Sequence, residues 1–119
     1  MMQTDYLIRL FHEFIRKFLD FILKRDTESL ELEPQVFSQG CSMLGVKEDV
    51  LLQMSAEEII TTFSSQNYAL EKIELSAYLA YVKHQNEKAK ELILHVNSCS
   101  NDFSIERQYL LDKLMKNEN

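Results

Sequence analysis

A chain of 119 residues holds one domain and not two, and 45% hydrophobic against 27% charged residues places it among globular proteins, outside the disordered range. Two glycines and one proline are too few turn-makers for hairpins and barrels, so the composition calls for helices joined by polar links and argues against an all-β fold. The net charge of −6 is concentrated in residues 25 to 58, which carry eight acidic and two basic groups; such a surface repels phosphate and anionic lipid, so neither nucleic acid nor a membrane is an expected partner.

The first predicted helix, at about residues 4 to 24, is unusually apolar. Leu7, Ile8, Leu10, Phe11, Phe14, Ile15, Phe18, Leu19, Phe21, Ile22 and Leu23 cover an arc of roughly 220°, where a helix lying on one core needs little more than about 100°. One flank therefore calls for a second partner, and Phe11, Phe14, Phe18, Phe21 and Ile22 are the residues expected to meet it, either in another copy or in a long helix of the same chain. Arg9, Glu13, Arg16, Lys17, Asp20 and Lys24 fill the remaining arc and make the segment too charged to span a bilayer. Thr4 is the expected cap, Asp5 suits the first turn, and Lys24 and Arg25 suit the last.

Asp26 or Thr27 is expected to open a short second helix through Leu32, and Pro34 to start the next, through Phe37 and Cys41 to Leu44, with Gly45 as its stop. Lys47 to Gln53 has the residues for one or two turns. Ser55-Ala56-Glu57-Glu58 is a capping box ahead of Ile59, Ile60 and Phe63. Tyr68 to Lys83 carries apolar residues on two faces and reads as the central helix, followed after His84, Gln85 and Asn86 by an antiparallel partner with the stripe Ala89, Leu92, Ile93 and Val96. A polar gap from Asn97 to Asp102 precedes a last helix from about Phe103 to Met115, with Phe103, the Arg107 stem, Leu110, Leu111 and Leu114 facing inward. The expectation is one all-α domain over residues 1 to 119, of five or six helices.

Two cysteines, Cys41 and Cys99, do not make a disulfide scaffold. The opening residues lack a basic segment followed by an apolar run and a cleavage site, so a cytoplasmic location is expected. His12, His84, His95, Cys41 and Cys99 are the soft metal ligands available, and only His95 and Cys99 share helical spacing, short of the three or four that zinc needs. No cofactor is expected. The carboxylate pairs Glu57/Glu58, Glu71/Glu74 and Glu87/Glu91 lack the Glu-x-x-His motifs of two-metal bundles. Glu74 stands apart, because Leu70, Ile73, Ala77, Tyr78 and Tyr81 surround it on an apolar face, and a buried carboxylate must be paired or protonated. Either Glu74 is an ordinary side chain that reaches solvent at the helix edge, or it is buried against Arg107, the partner that the sequence offers. Glu74, Tyr78, Tyr81 and Arg107 thus form the candidate buried polar or ligand site.

The pair of helices from Tyr68 to Val96 resembles one tetratricopeptide-type repeat, with Ala77 and Ala89 at the close-packed small positions and Tyr81 and Ile93 near its bulky apolar ones. His84 stands near the usual turn glycine and Ser76 where leucine is usual, and no second copy adjoins the pair. More broadly, Gln3-Thr4-Asp5-Tyr6-Leu7-Ile8-Arg9, the helical pair and Asp102-Phe103-Ser104-Ile105-Glu106-Arg107 resemble a small bacterial family of all-helical proteins without an assigned activity. That resemblance implies a bacterial cytoplasmic helical domain and no catalytic residue, and residues 28 to 54 depart from the family's alanine- and glycine-rich middle. The function expected is a protein-interaction or self-assembly module, with a second copy of the chain as first partner in a homodimer; a small-ligand-binding regulatory domain is the alternative. The sequence defines no reaction, and the expectation leans away from an enzyme.

Overall fold

The computed structural model describes residues 2–27 and 31–116, with side chains described over residues 6–25 and 31–116. Seven helices lie among them, with no strand: α1 (Met2–Thr27), α2 (Pro34–Leu44), α3 (Glu48–Gln53), α4 (Ala56–Ser64), α5 (Ala69–Val82), α6 (Asn86–Cys99) and α7 (Ile105–Lys116). The five or six expected become seven because Glu48–Gln53 closes as a separate short helix.

Several ends fall where local chemistry puts them. Pro34 opens α2 behind an extended Glu33, and Gly45 ends it in the left-handed region at φ 76°. Ser55 and Glu58 form the reciprocal capping box of α4, at 2.9 and 3.1 Å. Other ends move. Nothing in Arg25-Asp26-Thr27 breaks a helix, so α1 runs on to Thr27; Thr4 lies inside it, and no second helix opens at Asp26 or Thr27. Residues 31 to 33 are non-helical, and the rest of that expected helix lies outside the described residues. Tyr68 precedes α5 in the left-handed conformation at φ 60°, its ring 6.1 Å from that of Phe11. Asn97, Ser98 and Cys99 belong to α6 and not to a gap. The Ser104 hydroxyl accepts the Arg107 amide hydrogen at 3.2 Å, so α7 starts at Ile105 and leaves Phe103 outside, 76% exposed instead of in the core.

The core gathers around α5, whose residues Ile73 to Ala80 are all buried. A helix apolar on every side has to be enclosed, and α6, α1, α4 and α2 enclose it. Small residues set the spacing: Ala77 and Ala89 are wholly buried at the α5–α6 pair, and a side chain on Gly40 of α2 would come within 2.9 Å of Leu79 and 3.2 Å of Phe14. The hydroxyl of Ser76 donates to the Lys72 carbonyl at 2.8 Å, which lets a polar residue sit inside. The radius of gyration is 13.5 Å, matching the roughly 13.5 Å of a compact domain of this length.

The chain itself covers the wide face of α1. Phe11, Phe14, Ile15, Phe18 and Ile22 are buried, an arc of about 100°, and α1 packs on α5 and α7; Phe21 is half-buried against the same core. Four of the five residues expected to seek a second partner are therefore core residues, and the free apolar groups of α1 are Tyr6, Leu7 and Leu23. No helix among the described residues is long and apolar enough to cross a membrane. Truncating Phe18 to alanine should cost about 3 to 5 kcal/mol, and Leu23 to alanine within about 0.5 kcal/mol. Urea midpoints at unchanged slope measure both; equal losses would contradict the packing.

Candidate interaction groove

Charge on an otherwise buried surface marks the site. Glu74 projects from α5 and Arg107 from α7, 6% and 8% exposed, and Arg107 Nη1 lies 3.2 Å from Glu74 Oε1. The guanidinium does more than pair. Its Nε donates to Asn97 Oδ1 at 2.9 Å and its Nη2 to the Asp102 carbonyl at 2.6 Å, so one side chain ties α5, the end of α6 and the α6–α7 link to α7. Burial pushes the Glu74 carboxyl above its usual range, and the single bond from Arg107 offsets only part of that.

This network forms the floor of a groove of about 470 Å³. His12, Ile15 and Arg16 of α1, Leu70 and Glu71 of α5, and Val96, Ser100 and Asp102 line it, and the exposed Phe103 and Ile105 form its lip together with Glu106. Phe103 and Ile105 are 76% and 70% exposed, the two most exposed large apolar side chains among the described residues. Arg16 and Glu106 approach to 3.7 Å across the mouth, a solvent-screened contact. Asp102 is held at two points, its carbonyl by Arg107 and its amide by Ser100 Oγ at 3.2 Å, so the link presents Phe103 from an anchored backbone.

Of the candidate polar site, the structure joins Glu74 to Arg107 and leaves the tyrosines aside. Tyr78 is wholly buried, its hydroxyl has no partner among the described residues, and desolvation with nearby Glu74 and Glu106 raises its pKa well above the ordinary phenol. Tyr81 is half-buried in the core; neither ring lines the groove. His95 Nε2 and Cys99 Sγ lie 3.6 Å apart on an exposed turn, Cys41 is buried in α2 with its thiol pushed up to about 11 by desolvation, and no group of three or more potential ligands gathers among the described residues.

A second polar cluster has no signature in the sequence. Lys88 Nζ donates to the carbonyls of Leu51, Leu52 and Met54 at 3.1, 3.3 and 2.9 Å, and Gln85 Nε2 donates to Leu52 at 3.0 Å. The Met54 amide already caps Val50 and Leu51, and Lys88 with Gln85 adds to that backbone cap by holding carbonyls at the end of the six-residue α3. Burial lowers the Lys88 pKa, while three carbonyl acceptors favour the ammonium. Comparison with protein-family models, curated proteins and solved structures finds no match. The assignment of the groove rests on its geometry.

Arg107→Leu should cost about 3 to 5 kcal/mol by unhooking three acceptors and stranding Glu74. Glu74→Gln should cost only about 1 kcal/mol, since an amide oxygen still receives Arg107. Because the carboxyl is raised in the folded protein, the native state holds the extra proton as pH rises from about 4.3. Stability should therefore fall with rising pH across that window in the wild type relative to Glu74→Gln, measured by urea melts; the opposite slope would show that Arg107 outweighs burial. Lys88→Met should cost about 1 to 3 kcal/mol and speed amide exchange in α3 before other helices; uniform exchange would show that the cap is dispensable.

Proposed function

We propose that this chain is a protein-interaction module that takes a segment of another protein, or of a second copy, into the groove between α1, α5, α6 and α7. The observation that carries the reading is that Phe103 and Ile105, two large apolar side chains, both line the groove and stand exposed to water. A backbone anchored through Asp102 and a helix capped by Ser104 hold them there, so the surface is formed in advance and little ordering accompanies binding. Covering both contributes roughly 3 to 6 kcal/mol. That is short of the about 8 kcal/mol of a micromolar complex, so the polar groups of the groove have to contribute as well.

Self-association through the wide face of α1 loses its basis, because Phe11, Phe14, Phe18 and Ile22 are occupied in the core. A ligand-binding regulatory domain is less well supported: the volume suits a small molecule, yet Glu74 and Arg107 are engaged with each other and the tyrosines lie elsewhere.

A phage-displayed random peptide library selected on the full chain and counter-selected on Phe103→Glu/Ile105→Glu tests the reading. Enriched peptides that bind the wild type and not the variant are expected; a concentration-dependent dimer in sedimentation that the variant fails to form would equally support it. Peptides that bind both proteins alike, together with a monomer at every concentration, would sink it.

A further inference from the structure

The charges in the groove are not evenly spent. Arg16 faces Glu106 and Arg107 holds Glu74, which uses both arginines. Glu71, half-buried on α5, and Asp102, exposed on the α6–α7 link, line the same groove with carboxylates that have no partner among the described residues. Glu71 also sits in the first turn of α5, where the helix dipole favours a negative charge. Two arginines against Glu71, Glu74, Asp102 and Glu106 give the groove a formal charge of −2, histidine counted as neutral, and its carboxylates without a partner among the described residues are Glu71 and Asp102. An acidic surface behind an apolar lip selects a partner in which basic and apolar side chains alternate on one face.

Resting on the interaction reading above, we infer that the occupant is a basic amphipathic segment of a different protein, whose lysine or arginine meets Glu71 or Asp102 while its apolar side chains cover Phe103, Ile105 and Leu70. Phosphate-bearing partners are repelled by the same carboxylates. A second copy brings a further net charge of −6, so like-charge repulsion opposes it at long range.

Two short synthetic peptides with the same apolar residues, one carrying lysines and the other glutamates at the intervening positions, distinguish the possibilities on the full chain. Fluorescence anisotropy should show the lysine peptide binding at least about tenfold more tightly, with the advantage shrinking as salt is raised. Backbone NMR shifts should cluster at residues 70 to 74 and 102 to 107. Glu71→Gln/Asp102→Asn should weaken the lysine peptide about tenfold with the melting temperature kept, and Phe103→Ala should weaken both peptides.

Equal binding of the two peptides at the groove would overturn the charge assignment and leave the interaction reading standing. Shifts confined to residues 31 to 58 would also overturn it, as attraction to the general acidity of the chain. A dimer abolished by Phe103→Glu would make a second copy the occupant and sink the inference. Library selection that yields nothing specific to the groove, with a monomer throughout, would instead remove the reading on which it rests.

Discussion

The enclosure of α5 is the constraint from which the other positions follow. A helix with no water-facing side from Ile73 to Ala80 needs neighbours all round, and each of them has to solve a local problem in order to approach. α2 comes close because Gly40 has no side chain, and the closely packed α5 and α6 each bury a small alanine, Ala77 and Ala89. α1 is drawn over a third side by Phe14 and Phe18, whose rings lie 5.3 Å apart. Close packing of this kind has little give, so the groove walls that α1 and α5 supply are fixed by the core and not by the groove itself.

Apart from the Tyr78 hydroxyl and Gln85 Oε1, the polar side-chain groups buried in such a core sit where a backbone group or a counter-charge receives them. Arg107 joins Glu74 to a side-chain amide and a carbonyl, and Lys88 spends its ammonium on three carbonyls. Both are long side chains from late helices that reach back to earlier ones. They orient the end of α6, the start of α7 and the end of α3 where apolar contact alone would allow sliding.

What was legible in the sequence was short in range or forced by burial. Ser55 with Glu58, Pro34 and Gly45 announce their helix ends because the groups that satisfy the backbone lie within a few residues. The Glu74–Arg107 pair was legible only as one of two readings, since a carboxylate on an apolar face either reaches solvent at the helix edge or must be paired, and the fold decides between them. Asn97 reads as part of a gap because polar residues at the end of a helix look like a link, yet it lies within α6 and the Arg107 guanidinium from α7 gives it a partner. Phe103 reads as core from its spacing with Arg107 and Leu110; Ser104 caps the helix one residue later, so the helical period does not apply to it. The cap of α3 left no trace, since its acceptors are backbone carbonyls, which every residue has.

The burial of α1 also sets an order of events during synthesis. Its main partners α5 and α7 follow it by tens of residues, after α2, α3 and α4. At roughly 5 to 20 residues per second, α7 leaves the ribosome on the order of 10 s after α1. For that interval the five large apolar side chains that α1 buries in the folded domain lack the helices that cover them, and exposed apolar surface of that kind makes a nascent chain prone to aggregate.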